Sequence, residues 1–225
     1  MFSVEWFTTG QGADARWRPF HYWMPILCLY LGARLTEVAQ LHLSDLRQED
    51  GVWSIEITDE GDDRSIKNTA SRRILPMHPE LLRLGLDKYV EALRAAKYDR
   101  LFPELRSNPR YGLGKYAGKW FNSKFMDERL GIERNGKQTT HSFRHTLLTA
   151  LDRIEGIDLR SRQHIAGHER GKGETDNRYT KDAHPRDLLP LMEKLSFTGL
   201  PHIAPFDVQA GLRAIKVAMR RKKKN

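Results

Sequence analysis

Four short segments of the chain contain arginine, lysine, histidine and tyrosine side chains that could act together on a phosphate group. They are residues 32–37, 65–73, 141–145 and 167–179. A phosphodiester under attack gathers negative charge on its nonbridging oxygens, and a planar guanidinium can bind two of these oxygens at once, which lysine cannot do. A tyrosine phenol, with a pKa of about 10, needs nearby positive charge to act as a nucleophile at neutral pH. These residue types together fit chemistry on a phosphodiester bond.

The order and wording of these segments resemble the tyrosine recombinase family, also called the phage integrase family. Its order is arginine, lysine, His-x-x-Arg, histidine or tryptophan, and tyrosine. The strings Gly-x-Arg-x-x-Glu, Thr-His-Ser-Phe-Arg-His and Ala-Gly-His, all present here, are also similar to family strings. Each motif alone is weak, but five in this order cover roughly residues 18–195, which is most of the chain. The residues that match are Arg34, Lys67, His141, Arg144, His168 and Tyr179.

The resemblance implies a reaction at one phosphate of DNA. Arg34 and Arg144 would bind the nonbridging oxygens. Tyr179 would attack phosphorus, giving a 3′-phosphotyrosine and a free 5′-hydroxyl. Lys67, within an arginine-rich segment, resembles the general acid that protonates the leaving 5′-oxygen.

The resemblance also implies supporting roles and no cofactor. His141 would accept or relay the tyrosine proton, and His168 would hydrogen-bond the phosphate. Glu37 matches an acidic family position that helps to hold the basic site in order. Neither a metal nor ATP is implied, because the arginines supply positive charge and the phosphotyrosine retains the bond energy. The nine histidines and single cysteine also lack the paired spacing of structural zinc sites.

Each residue also has an ordinary structural interpretation. Lys67 could make a simple phosphate contact, and His168 could cap a helix C-terminus, where the helix dipole favours it. His145, adjacent to Arg144, is expected to point elsewhere and to be structural. Tyr179 is chosen among seven tyrosines because only it follows Gly-His in the expected region. Three tyrosines in apolar helical patterns are predicted to lie in the core, namely Tyr22, Tyr30 and Tyr89.

The elements that must position these residues are mostly helical. We predict a mainly α fold with a small antiparallel β-sheet (α+β), which resembles the catalytic domain of the family. Apolar residues dominate over residues 18–31, and this predicts a buried helix closed by Gly32. A second helical pattern follows, so Arg34 and Glu37 lie at a junction between two helices. Further helices are predicted at residues 79–97, 115–130, 142–154, 158–166, 185–195 and 208–219.

In the sequence, the strands of the predicted sheet follow the first two predicted helices and precede the remaining ones. Residues 52–57 alternate between apolar and polar types, as a strand does. Residues 59–63 form a predicted turn, and residues 64–67 and 72–75 can supply further short strands. This arrangement predicts that Lys67 lies at or beside the tip of a hairpin.

Composition divides the chain into three parts. Residues 1–16 are polar, contain glycine and show no clear period, so an irregular start is expected. Residues 17–200 are expected to form the catalytic domain. Residues 201–225 are expected to form a C-terminal helix and a basic tail, which is either a solvated end or a contact for DNA or a partner. The N-terminal domain that closes the family's clamp around DNA is expected to be absent, which predicts weak, salt-sensitive DNA binding.

Charge and composition favour a DNA partner. The net charge of +9 and the pI of about 9.7 fit a polyanion. No apolar run reaches the length of about 18 residues that a membrane span needs, and the N-terminus lacks a signal-peptide pattern. With Cys28 as its single cysteine, the chain is expected to be cytoplasmic. The family resemblance implies that it is bacterial or phage-encoded. The implied partners are double-stranded DNA and further copies of the chain, assembled as a homo-oligomer on DNA.

Two other functions fit parts of the same pattern. A type IB topoisomerase shares the chemistry but relaxes DNA as a monomer, and the compact length and the Gly-His…Tyr order favour a recombinase. A noncatalytic DNA-binding module of the same fold would have a damaged catalytic set, whereas every position here has the expected residue type. The sequence therefore predicts a site-specific recombinase or integrase that cuts and rejoins DNA.

Overall fold

The computed structural model describes residues 1–66, 68–108, 110, 112–133, 139–167 and 184–222. Within these ranges the chain is mainly helical and has one three-stranded antiparallel sheet, so the predicted fold class is confirmed. In the part of the chain that the model describes, no helix is both long enough and apolar enough to cross a membrane.

The centre of the fold is helix α2, Pro19–Leu31, and all of its thirteen residues are buried. Pro19 occupies the first turn, where its missing N–H is not needed. The helix ends at Gly32, whose φ of 57° lies in the left-handed region. A Cβ atom at Gly32 would lie 2.4 Å from Cδ2 of Leu147, so both the backbone and the packing require glycine. Helix α3, Leu35–Ala39, follows, which confirms the predicted junction around Arg34.

The sheet consists of β1, Leu46–Glu49, β2, Val52–Ile57, and β3, Arg73–Pro76, in that order. The prediction of β2 and β3 is confirmed, whereas β1 was missed.

Residues 64–66 were expected to belong to a strand, and that expectation is wrong. The side-chain amide of Gln40 replaces a strand partner, because it donates to the Ser65 carbonyl and accepts from the Ser65 N–H, both at 3.0 Å. Arg64 is drawn to Asp45 by an ion pair of 2.8 Å. Lys67, predicted to lie near a hairpin tip, falls outside the described residues.

The remaining helices surround α2 and the sheet. One helix predicted over residues 79–97 is two helices, because Gly85 between them has a φ of 86°. Helix α6 continues into a π-helix, Trp120–Arg129, where the ring of Trp120 stacks on Phe125 at 5.2 Å and on His21 at 4.3 Å. The helices are α4, Pro79–Arg83, α5, Leu86–Ala95, α6, Gly114–Lys119, α7, His141–Leu151, α8, Leu159–Ala166, α9, Pro185–Lys194, and α10, Val208–Lys222.

Both ends of the chain add to the same core. Residues 1–16 were expected to be irregular, but they contain helix α1, Glu5–Thr9, which buries Trp6 and Phe7. The two rings contact Phe125 and Tyr22 at 5.6 and 5.7 Å, and this aromatic packing explains why a short polar segment becomes helical. Near the other end, Phe206 packs its ring 5.1 Å from Tyr22.

Candidate active site

Arg34 is held at the junction between α2 and α3. It is the N-cap residue of α3, and its main-chain N–H donates to Oε2 of Glu37 at 2.9 Å. Its guanidinium donates from Nη1 to Oε1 of Glu37 at 2.6 Å and to Oγ of Ser71 at 2.7 Å. The Glu37 side chain is 1% exposed, whereas that of Arg34 is 24% exposed. The buried carboxylate therefore fixes a guanidinium that still reaches solvent.

Arg144 approaches the same place from α7. Its guanidinium is buried and donates to two carbonyl oxygens at 2.9 Å, one from Gly32 and one from Gly167. These two glycines end α2 and α8 in left-handed conformations, so Arg144 joins two helix C-termini. Burial, and after it the charge of Arg34, lowers the pKa of Arg144.

Arg73 is a third buried guanidinium, for which the sequence predicted no role. It is the first residue of β3 and donates to the carbonyl oxygens of Ser71 at 2.8 Å and Leu31 at 3.1 Å. Its Nη1 lies 3.9 Å from Oε2 of Glu37. Burial lowers the pKa of Arg73 to about 10; Glu37 opposes that shift, and the charges of Arg144 and Arg34 add to it. Its buried Nε has no hydrogen-bond partner among the described residues.

Together these residues form a basic site, which we call the arginine cluster: Arg34, Arg73, Arg144 and Glu37. Three positive charges face one negative charge, so the cluster has an excess of two positive charges. The other hydrogen-bond acceptors described above are main-chain carbonyls and the Ser71 hydroxyl, which neutralise none of that charge. A cluster of this kind can bind a phosphate group and can stabilise the negative charge of a phosphoryl-transfer transition state.

The pattern of β3 contained a signal for Arg73. Residues on one face of a strand recur at every second position. Arg73 and Leu75 are both buried and Ile74 between them is less so, which places the guanidinium on the inward face. An arginine in phase with the apolar face of a predicted strand could therefore have indicated a buried cation, although the sequence does not show which residues it contacts.

His141 lies one helical turn before Arg144, at the first position of α7. It is exposed, and its ring stands perpendicular to the ring of His145 at 5.0 Å. His145 is exposed whereas Arg144 is buried, so His145 points away from Arg144 as expected, but its ring lies beside that of His141. The four-residue spacing, which puts two side chains on one helical face, was the available signal.

Three predicted residues, Lys67, His168 and Tyr179, lie outside the described residues, but the structure describes neighbours of two of them. Next to Lys67, Asn68 accepts a 2.8 Å hydrogen bond from the Ser71 hydroxyl, which in turn accepts from Arg34.

Gly167 directly precedes His168 in the sequence. Its φ is 61°, and a Cβ atom there would lie 2.5 Å from Nη1 of Arg73, so this glycine allows the cluster to close against α8.

Other groups in the described part of the chain do not offer a competing site. No group of three or more potential metal ligands occurs in the residues that the structure describes. The core tyrosines Tyr22, Tyr30 and Tyr89 are buried as predicted, and burial raises the pKa of each. A tyrosine that resists ionisation is a poor nucleophile, so these three are unsuited to attack a phosphate.

Comparison with known proteins gives one match. The model of the phage integrase family matches residues 20–186, a range that includes the arginine cluster and every residue of the predicted catalytic set. No curated protein and no solved structure matches the chain.

Proposed function

The chain belongs to the phage integrase family, and we propose that it cuts and rejoins DNA strands through a covalent bond to Tyr179. Family membership supports a site-specific recombinase or integrase function in general, and it implies DNA binding. The observation that carries the finer proposal is the arginine cluster. Two guanidiniums, those of Arg34 and Arg144, would bind the nonbridging oxygens of the scissile phosphate, and Glu37 would hold Arg34 in place.

The proposed cleavage step exchanges one phosphodiester for another. The phenolic oxygen of Tyr179 forms a bond to phosphorus while the bond from phosphorus to the 5′-oxygen breaks. His141 accepts or relays the phenolic proton, and Lys67 gives a proton to the leaving 5′-oxygen. His168 hydrogen-bonds the phosphate. Rejoining reverses the step with a 5′-hydroxyl as the nucleophile, so no external energy source is required.

The cluster is suited to this step because it is organised before the phosphate binds. Two hydrogen bonds hold the guanidinium of Arg144 on the Gly32 and Gly167 carbonyls, and two hold that of Arg34 on Glu37 and Ser71. A guanidinium has five N–H donors, so these contacts orient each side chain without using all of its donors. Fixed donors stabilise developing charge without the cost of reorganising during the reaction. Glu37 offsets one of the three positive charges of the cluster, and the remaining positive charge would act on the phosphate of the substrate.

A basic surface next to the cluster fits the DNA that would carry this phosphate. Helix α6 packs on α3, since a Cβ atom at Gly114 would lie 2.7 Å from Oγ1 of Thr36. Lys115, Tyr116 and Lys119 of α6 are exposed. Lysines contact DNA phosphates without reading sequence, so these side chains would position the duplex. Recombination joins two DNA sites, and we propose that several copies of the chain assemble on DNA for it.

The proposal is tested by trapping the covalent intermediate. The chain is incubated with supercoiled plasmid and with nicked duplexes that carry candidate attachment sequences, quenched in detergent and analysed for protein–DNA adducts. We expect an adduct for the wild type and for Tyr98→Phe, which removes a partly exposed tyrosine just after α5, and none for Tyr179→Phe. If the adduct persists in Tyr179→Phe, another residue is the nucleophile and the assignment of Tyr179 is wrong. Intact DNA binding without any wild-type adduct would refute strand cleavage.

A further inference from the structure

Helix α10 presents a face of positive charge that the proposed reaction does not use. Arg213, Lys216 and Arg220 are exposed and are spaced by three and four residues, which places them on one side of the helix. Arg221 is exposed beside them. We call these four residues the α10 cation face.

The orientation of this face is fixed by the packing of the opposite side. Ile215 is fully buried, and Gly211 is buried about one turn earlier. Gly211 lies so close to the core that a Cβ atom there would be 2.6 Å from Cζ of Phe206 and 3.6 Å from Cγ of Pro19. The side chains of the cation face therefore point to solvent because the other side of α10 is held against α2 and α5.

The α10 cation face differs from the other charged helices because acidic partners are missing. Elsewhere a basic residue pairs with an acidic one three or four residues away, as in the pairs Arg83–Glu80, Arg94–Glu91 and Lys124–Glu128. Residues 208–222 contain no aspartate or glutamate. Within the part of the chain that the structure describes, no ion pair involves any of the four cations.

Such an arrangement opposes folding when nothing is bound. Like charges three or four residues apart on a helix repel each other and destabilise it. The helix dipole favours Arg220 and Arg221 in the last turn, but Arg213 and Lys216 lie too far from the C-terminus to gain from it. A further cation, Arg18, adds to the repulsion, since burial and then the charge of Arg221 lower the pKa of Arg18.

The α10 cation face is separate from the arginine cluster. Gly211 packs near Pro19, and Arg221 acts on Arg18, so α10 lies at the N-terminal end of α2. The arginine cluster lies beyond Leu31, at the C-terminal end of α2. Thirteen helical residues at about 1.5 Å each span about 20 Å, so a phosphate bound at the cluster lies far from α10.

We propose that the α10 cation face binds the sugar–phosphate backbone of duplex DNA, as a sequence-independent contact apart from the arginine cluster. A row of exposed cations without acidic partners matches a polyanion with one charge per about 1.7 Å of duplex. A protein partner fits less well, because protein interfaces are centred on apolar side chains that become buried in the complex. Among the cations of α10, Val217 is a large apolar side chain that is 40% exposed, and a single valine offers little apolar surface to bury. The contact does not depend on the chemistry proposed for Tyr179.

The test measures how DNA binding depends on salt. The triple variant Arg213→Gln/Lys216→Gln/Arg220→Gln is compared with Lys97→Gln/Arg153→Gln/Lys194→Gln, which removes three exposed cations elsewhere. Binding to a fluorescent 30-base-pair duplex of arbitrary sequence is followed by anisotropy at several salt concentrations. Each lost phosphate contact lowers the slope of log affinity against log salt by about 0.9, so the triple variant should lose about 2.7. The control variant should lose less than about 0.9.

Several outcomes decide the proposal. Equal salt slopes for the two triple variants would overturn it. A change in the sedimentation mass of the α10 variant without a change in its salt slope would also overturn it, because that result would indicate a protein interface. Single substitutions that each lower the slope by about 0.9 would support it even if the triple variant were less stable. Tyr179→Phe should keep the wild-type slope, so a failure of the cleavage proposal leaves this result readable.

Discussion

The arginine cluster and the α10 cation face hold positive charge in two different ways. In the cluster, Arg73 and Arg144 are buried, Arg34 is partly buried, and each guanidinium donates two hydrogen bonds to a carbonyl, a hydroxyl or the Glu37 carboxylate. On α10, the cations are exposed, and among the residues that the structure describes no acidic side chain pairs with them. The buried guanidiniums of the cluster lose hydration, but their hydrogen bonds hold them in fixed positions. The exposed cations of α10 stay hydrated, and their side chains are not held in fixed positions.

This difference teaches what each region can contribute. Fixed donors in a poorly hydrated place act on one group in one geometry, which suits a reacting phosphate. Exposed cations on flexible side chains bind any polyanion by displacing its counterions, and the affinity that they provide decreases steeply as the salt concentration rises. The same residue types can thus serve rate in one place and affinity in another, and substitutions should separate the two contributions.

The largest effect should come from removing the one carboxylate of the cluster. Glu37→Gln leaves buried guanidiniums without their anion, and we expect the free energy of unfolding to fall by about 3–5 kcal/mol. Chemical denaturation measures the change. The matched surface variant is Glu91→Gln, whose exposed pair with Arg94 should be worth less than about 1 kcal/mol. Similar losses in the two variants would break the contrast between buried and exposed charge.

Arg144→Lys should separate rate from affinity. Lysine keeps the charge but cannot span the carbonyls of Gly32 and Gly167, so we expect adduct formation to slow by about 10²–10³-fold. DNA affinity should change little, because the exposed cations supply most of it. Arg153→Lys, an exposed arginine just after α7, is the control and should react at the wild-type rate. A loss of affinity without a loss of rate would reverse the roles assigned to the two regions.

Two glycines with the same backbone conformation test how tightly the cluster is packed. Gly167 and Gly156 have φ values of 61° and 76°, but only Gly167 would place a Cβ atom against Arg73, whereas Gly156 faces open space. Gly156→Ala should cost about 1 kcal/mol of stability from backbone strain alone. Gly167→Ala should cost about 1–3 kcal/mol more from overpacking. Thermal unfolding measures the stability of both variants. Equal losses of stability would mean that Arg73 can move aside to make room for the added methyl group.

The smallest effect concerns pH, to which arginine and lysine charges are nearly insensitive between pH 5 and 8. His21, at the start of α2, is stacked on Trp120 and accepts from the Arg18 N–H at Nδ1. Burial, and then the charge of Arg18, holds the pKa of His21 well below 6.5. As the pH falls through 6.5, the unfolded chain gains a proton that the folded chain does not, so stability decreases.

His21→Gln should therefore weaken the loss of stability on acidification. Glutamine at this third helical position can still accept from the Arg18 N–H, but it cannot titrate. Between pH 6.5 and 5.5 we expect the loss to shrink by about 1 kcal/mol, with lower absolute stability because the stack is gone. Urea unfolding at each pH measures it, with the exposed His202→Gln as control. If the free energy of unfolding of His21→Gln depends on pH as that of the wild type does, His21 is not the source of the loss of stability on acidification.

The sequence predicted the elements whose signals are local. The apolar run and Gly32 predicted α2 and its end, and Asp158 was correctly predicted to cap α8, where it accepts from the Ser161 N–H at 2.9 Å. The position of Arg34 at a helix junction was also predicted correctly. Each of these features depends on residues that are close together in the chain.

The features that the sequence did not reveal depend on distant partners. Residues 64–66 are not a strand because Gln40, far away in the chain, satisfies their backbone. Helix α1 forms because Trp6 meets Phe125. Arg73 belongs to the site through contacts with Leu31 and Glu37, which no local pattern contains. The catalytic roles of Arg34, Lys67, His141, Arg144, His168 and Tyr179 and the supporting role of Glu37 remain predictions.

The π-helix makes one segment of the chain sensitive to its length. Trp120 and Phe125 are five residues apart and their rings lie within 9° of parallel, a register that a π-helical turn allows. Leu130 likewise donates to the Phe125 carbonyl, five residues back. Deleting a single residue between 120 and 129 would restore the α-helical pitch and turn Trp120 away from both Phe125 and His21. Substitutions in this segment should therefore be tolerated much better than one-residue deletions, as scored by a deletion scan.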